Sequence, residues 1–322
     1  MTQVLGIVKE GKLIPEELWI KFVSGLENNF DMSANRKAIS EQAQKSSIFD
    51  YLETNNQRAK RKVAEAIVQA IKKRTISKFG ILFSGGVDSS LIAFVSKQLK
   101  CNFTCYTVGI EGSDDIEWAK KVADEYGFNF KYKVLGLDEL ENAVREVIKL
   151  LNSTDIVKIG VGSVLYAGGK LALSDGNNIL FGGLGSEEVF AGYKRHEEAL
   201  QSNNFEALHK ECWSGLKNMW KRDILRDFTI AKCLGLDLRI PFLDKDLIKA
   251  AMSVHPMLKL DKENKKLILR EAAEFIGLKK GFAWRKKQAA QYGSNFVNGI
   301  DKLARKNGFR YKKDYLESLL KK

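Results

Sequence analysis

The chain has 322 residues, 44% of them hydrophobic and only three of them proline, enough to bury a full core in one large or two modest domains. Its net charge of +13 favours anionic ligands or surfaces. No 18-residue apolar run suggests a membrane-spanning helix, and residues 1–12 lack the charged and apolar regions of a signal peptide. Cys101, Cys105, Cys212 and Cys233 show no disulfide spacing, and His196, His209 and His255 are too scattered to propose a zinc site. Reduced core thiols and a cytoplasmic location follow as expectations, with no membrane partner.

Residues 1–54 are the least legible. Val4 to Val8 can form a strand, residues 15–26 a short helix opening at Pro15, and residues 31–45 a loop or weak helix. Residues 57–74 are clearer: Val63, Ala66, Ile67, Ala70 and Ile71 form one apolar face among basic residues.

The next stretch, Ile-Leu-Phe-Ser84-Gly85-Gly86-Val-Asp88-Ser89-Ser90, carries the chemistry. A short apolar run reads as a buried strand, and the run from Leu91 to Val95 reads as the start of a helix. Adjacent glycines at such a junction let backbone N–H groups approach a ligand, and the helix adds its positive end, so the loop makes a phosphate cradle. It is no Walker A loop, because no Gly-Lys-Ser/Thr follows. Asp88 among phosphates requires a divalent cation between the charges, which points to ATP with magnesium.

Further strands are expected at 102–110 and 128–134, and helices at 117–126, ended by Gly127, and at 137–151. Strands alternating with helices argue for an α/β fold with a parallel, doubly wound sheet. Ligands bind such sheets beyond the carboxyl ends of the strands, where the Ser84–Ser90 loop lies. A second glycine-rich loop, residues 182–193, follows an apolar strand at 178–181. Glu187 and Glu188 open the helix after it, and one of them can share the metal of Asp88.

From about residue 205 the pattern becomes mainly helical. Asp223, Arg226 and Asp227 begin a helix, and Lys266 and Arg270, four apart, share a helical face where they can neutralise departing pyrophosphate. Residues 292–294 read as a mobile loop. Residues 262–322 hold 17 Lys/Arg against 6 Asp/Glu. That excess is either a nucleic-acid footprint or a solvated surface together with pyrophosphate-gripping residues, and no RNA-binding signature favours the first.

Four motifs occur in one order: the Ser-Gly-Gly-x-Asp-Ser loop, Gly-Ser-Glu-Glu-Val-Phe-Ala-Gly-Tyr, Arg-Ile-Pro-Phe-Leu-Asp, and Lys-x-Ile-Leu-Arg-Glu. Over residues 57–298 the chain resembles the synthetase domain of asparagine synthetases, in the ATP pyrophosphatase superfamily. The resemblance implies an adenine nucleotide α-hydrolase-like sheet followed by a mainly helical C-terminal part. It also implies AMP and pyrophosphate as products of adenylating a carboxylate, then attack by ammonia or an amine. Residue by residue, it puts Leu82 and Val108 around the adenine and Gly183 beside the nucleotide. Ser84, Gly85, Gly86, Asp88, Ser89 and Ser90 hold phosphates, and Asp88 and Glu187 hold magnesium. Lys266 steadies the adenylation transition state, and Asp223 lies near the acceptor.

The sequence departs from that pattern in four places. Glu187 stands where the family has aspartate. Residues 1–54 are expected to be a short segment rather than a glutaminase domain, leaving residues 55–322 as the synthetase-like domain and ammonia to be free or supplied by a separate glutaminase subunit. Leu184 replaces a polar residue, and the arginine expected near Gly160 for aspartate recognition is missing. Two other functions are compatible with the ATP half: a tRNA-modifying ATP pyrophosphatase, and a non-catalytic nucleotide-binding partner subunit.

Overall fold

A computed structural model describes residues 8–9, 12–40, 52–201, 204–286 and 288–320. The expected strand at Val4 to Val8 lies mostly outside these residues, as do residues 41–45. The strands are β1 (Val8–Lys9), β2 (Lys12–Leu13), β3 (Lys78–Leu82), β4 (Asn102–Gly109), β5 (Phe130–Val134), β6 (Ile179–Phe181) and β7 (Asp237–Arg239). The helices are α1 (Glu16–Ser40), α2 (Asn56–Lys72), α3 (Val87–Gln98), α4 (Asp114–Tyr126), α5 (Leu137–Leu151), α6 (Ile156–Ser174), α7 (Ser186–Val189) and α8 (Lys194–Ala199). They continue with α9 (Phe205–Met219), α10 (Leu225–Leu234), α11 (Lys245–Met252), α12 (Leu267–Ile276), α13 (Lys280–Ala283), α14 (Ala290–Gly293), α15 (Phe296–Lys306) and α16 (Lys312–Leu320).

The chain divides into two compact units. The first comprises residues 75–182, 222–239 and 280–322 and contains a five-stranded sheet of order β5-β4-β3-β6-β7. All four neighbouring pairs are parallel, so the expected parallel sheet with flanking helices is present. The order reverses at β3, with β4 on one side and β6 on the other, and the Ser84–Ser90 loop leaves β3 at that switch point. Main-chain pairing continues past the strand end, where the Phe83 N–H donates to Tyr106 O at 2.8 Å.

The core of this unit lies under α5, α6, α10, α15 and α16, with Val144, Val147, Ile148, Ile159, Phe296 and Ile300 among its buried members. Helix α6 was not anticipated, because glycines at 160, 162, 168 and 169 break its apolar pattern. Here they act as packing notches: a Cβ at Gly162 would meet Val147 and Ile230, and one at Gly169 would meet Leu236 and Leu234. By length and composition α6 is apolar enough to cross a membrane, and half of its most apolar stretch is buried inside the protein. Strand β5 lies at the sheet edge, where Lys131, Tyr132, Lys133 and Val134 are all exposed.

The second unit comprises residues 1–74, 183–221 and 240–279. Helix α1 runs well beyond the expected residue 26. Its Trp19 is fully buried and donates to Leu216 O at 2.8 Å. Helix α2 starts from Asn55, whose side chain accepts the Arg58 N–H at 3.1 Å. It buries Ala59, Val63, Ala64, Ile67, Ala70 and Ile71 and packs on α11 and α12. Past the end of α2, Arg74 reaches Asp244 of the Arg-Ile-Pro-Phe-Leu-Asp motif at 2.8 Å, both side chains being buried. Asp244 also caps α11 by accepting the N–H groups of Asp246 and Leu247.

Candidate active site

In the sheet unit, the helix after the first glycine loop begins at Val87, four residues before the expected Leu91, with Gly86 as its N-cap. Asp88, Ser89 and Ser90 therefore occupy the first turn of α3, at its positive end. Gly85 has φ +65, and a Cβ there would stand 2.8 Å from the backbone of Trp118 and Ala119 in α4. Only glycine meets both demands. Hydroxyls stiffen the turn: the Ser84 N–H donates to Ser89 Oγ at 3.2 Å, and the Ser89 hydroxyl donates to Gly86 O at 3.3 Å. The Ser90 hydroxyl is fully buried with no hydrogen-bond partner among the described residues, and Asp88 is half-buried.

Leu82 and Val108 lie at the carboxyl ends of neighbouring strands and both face Gly168 of α6. The two residues expected to frame adenine are thus brought together. Gly160 opens a notch elsewhere on α6, where a Cβ would stand 2.9 Å from Gln291 Cβ. The absence of an arginine near this point has a steric side: Gln291 fills the space. Its Oε1 is buried without a hydrogen-bond partner among the described residues. Residues 290–293 form helix α14, with Gly293 and Ser294 buried, rather than the mobile loop expected at 292–294.

Asp223 does not begin α10 but sits in a π-helical turn, Trp220–Ile224. Such turns occur often at functional sites. Its carboxylate accepts from Arg222 Nε at 2.5 Å and from Arg226 Nη1 at 3.2 Å. Arg226 also donates to Asp227 at 2.6 Å. Burial raises the Asp227 pKa, against the opposing pull of Arg226.

In the helical unit, Lys266 is the N-cap of α12 with φ +59, so it lies outside the helix, and the helical face expected to join it to Arg270 does not form. Its ammonium donates to Ser186 Oγ at 3.0 Å and pairs with Glu187 Oε1 at 2.6 Å, although it is only 5% exposed. Arg270 turns elsewhere, donating from Nε to Lys265 O at 2.8 Å. The two adjacent glutamates separate in the same way. Glu188 is fully buried beside Arg195 at 3.9 Å, whereas the Glu187 side chain is 36% exposed and faces Lys266. Glu187 is therefore the more exposed of the two. A Cβ on Gly192 would overlap the Glu187 carboxylate and come within 2.6 Å of Lys266 Cε. Gly183 and Leu184, on the same loop, are half-buried.

Several of these residues were missed in the sequence. Gly192 and Ser186 stand inside a quoted motif, but nothing local says that they shape an ion pair. Gly85 meets the backbone of Trp118 in α4, and sequence spacing carries no signal of that contact.

The donor set fits a nucleotide carrying magnesium. Among the described residues, no three His, Cys, Asp or Glu side chains gather into a metal cage. Magnesium rarely needs one, since it binds through one or two carboxylates and phosphate oxygens. Gly85, the opening turn of α3 and Asp88 supply that chemistry.

The asparagine synthase family model matches residues 62–208 and 201–313. The chain belongs to the asparagine synthase family. A Methanocaldococcus jannaschii protein named for glutamine-hydrolyzing asparagine synthetase is 32% identical over 324 residues, covering 89% of this chain and 60% of that protein. Glutamine-hydrolyzing asparagine synthetase 2 of Lotus japonicus is 33% identical over 268 residues, covering 76% of this chain and 44% of its own length. This asparagine synthase family chain thus spans about half of the curated relatives that it matches. Among solved structures, NMN synthetase from Francisella tularensis is 11% identical with a TM-score of 0.38, covering 83% of this chain and 94% of that one.

Proposed function

We propose that the chain is an ATP-dependent carbon–nitrogen ligase that adenylates a small carboxylate acceptor, releases pyrophosphate, and exchanges AMP for ammonia or an amine. The observation that carries this reading is the Ser84–Ser90 turn: Gly85 in the left-handed conformation against α4, and Asp88 in the first turn of α3. A turn of that kind suits phosphates with a divalent cation.

In this reading, backbone N–H groups at Gly85 and Gly86 and the hydroxyls of Ser84, Ser89 and Ser90 hold the phosphates. Leu82 and Val108 frame the adenine, and Gly183 lies beside the nucleotide. Asp88 and Glu187 are the carboxylates assigned to magnesium, which would neutralise phosphate charge and orient the chain for in-line attack. Lys266 holds positive charge for the departing pyrophosphate, and its bonds to Ser186 and Glu187 fix where that charge sits. Asp223 keeps an acceptor-side assignment, braced by Arg222 and Arg226.

Ammonia, free or released by a glutaminase, is the nitrogen donor in this reading. The family relationship supports a carboxylate as acceptor, while Leu184 and the Gly160 notch favour an acceptor contacted differently from aspartate. Incubation with ATP, Mg²⁺, ammonia and a panel of amino-acid carboxylates tests this. Acceptor-dependent AMP formation with a matching amide is expected. ATP turnover with none of the acceptors, and no amide, would reject the ligase reading.

A further inference from the structure

Arg285 is not part of any site described above, yet it is 8% exposed and bonded to the first glycine loop. Its Nη1 donates to Ser84 O at 2.7 Å. Its Nη2 meets Asp115 Oδ1 at 3.3 Å, and its guanidinium carbon lies 5.0 Å from the centre of the Trp118 ring. Asp115 and Trp118 belong to α4, the helix against which Gly85 is wedged. One guanidinium therefore ties the loop to the element that it rests on.

The segment carrying Arg285 is fastened to the same helix start. Ser113 Oγ, the N-cap of α4, donates to Gly293 O at 3.0 Å, and the Ile110 N–H donates to Ser294 O at 3.1 Å. A Cβ at Gly293 would stand 2.5 Å from the Asp115 carboxylate, so glycine lets the segment close over α4.

The Ser84–Gly85 peptide gives the contact its meaning. Carbonyl and N–H point in opposite directions across a planar trans peptide. When Arg285 holds the Ser84 carbonyl, it turns the Gly85 N–H to the opposite side. Glycine imposes little restraint of its own on the dihedrals that would let this peptide flip. We propose that Arg285 is a positioning residue that locks the Ser84–Gly85 peptide so that the Gly85 N–H faces the phosphates of the nucleotide. This rests on the reading of Ser84–Ser90 as the ATP loop. Lysine cannot reproduce it, because the two separate contacts and the ring stacking use the planar fork of arginine.

The test measures binding of Mg²⁺ with α,β-methylene-ATP by calorimetry, together with pyrophosphate release, for the wild-type chain, Arg285→Lys and Arg285→Ala. Both variants are expected to bind the analogue roughly tenfold to a hundredfold more weakly, the size of one lost hydrogen bond to a charged group. Millimolar guanidinium should restore binding to Arg285→Ala and leave the wild type unchanged. A folded Arg285→Ala variant that guanidinium does not rescue, or an Arg285→Lys variant that binds like the wild type, overturns the positioning role. Should Arg285→Ala fail to fold, Arg285→Lys decides alone. A wild-type chain that binds no adenine nucleotide overturns the ATP reading instead, so the two failures are distinguishable.

Discussion

Lys266 Nζ stands 2.6 Å from Glu187 Oε1, a contact between a cap residue in the left-handed conformation and a one-turn helix 79 positions earlier. The pair joins the cation assigned to departing pyrophosphate and a carboxylate assigned to magnesium. The two groups should therefore act together. Lys266→Ala is expected to slow pyrophosphate release about 10²–10³-fold, as loss of a charge-stabilising group does elsewhere. A double-mutant cycle with Glu187→Gln should give a coupling of about 0.5–3 kcal/mol. Strict additivity in the rate measurements would show that the two side chains act independently.

Gly192→Ala probes the same pair without removing either charge. The new methyl group would overlap the Glu187 carboxylate and crowd Lys266 Cε. Turnover should fall toward that of Lys266→Ala, while overpacking costs about 1–3 kcal/mol of stability. Paired kinetic and thermal-unfolding measurements check this. Turnover within twofold of wild type would mean that the pair tolerates displacement.

Gly85→Ala meets strain and collision at once, with φ +65 and the α4 backbone 2.8 Å away. Left-handed strain alone costs about 1–3 kcal/mol. The variant should unfold at lower temperature than wild type and lose the thermal stabilisation that ATP with Mg²⁺ confers. Full retention of that stabilisation would contradict the cradle.

Arg74 and Asp244 make the helical unit pH-sensitive. Burial by itself would raise the Asp244 pKa, but the hydrogen bond and charge of Arg74, with the Asp246 N–H and Lys73, hold it below the ordinary aspartate value. A carboxylate depressed in the folded state contributes stability that is present above its unfolded pKa of about 3.9 and lost as pH falls through the folded value. Asp244→Asn should cost roughly 3–5 kcal/mol near neutrality, since it leaves Arg74 buried beside a neutral group. Its urea midpoint should also depend less on pH than that of wild type between about pH 5 and 3. Parallel pH curves for the two proteins would rule out this role.

The sheet was legible because its strands are short apolar runs separated by amphipathic helices with ordinary stop signals. Helix α5 shows the residues 137–151 expected, and Gly127 ends α4 with φ +60, as its position suggested. Helix α6 was hidden because its glycines answer to Leu82, Val147 and Gln291, residues distant in sequence. Lys266 was read as helical because lysine carries no sign of a left-handed conformation, which the cap of α12 imposes. Strand β7 is three residues long and polar at its start, too short for periodicity to register. Motifs could single out Asp88, Glu187 and Lys266. They could not show that Glu187 and Lys266 are bonded, that Asp223 lies between two arginines, or that Arg285 reaches Ser84.

The central claim is that this chain cleaves ATP between the α and β phosphates to activate a carboxylate. ³¹P NMR of the products formed from ATP, Mg²⁺, ammonia and the acceptor that supports turnover tests it most directly. AMP and pyrophosphate in equal amounts, in step with amide formed and lost in Lys266→Ala, is the result expected. Release of ADP and inorganic phosphate would contradict it.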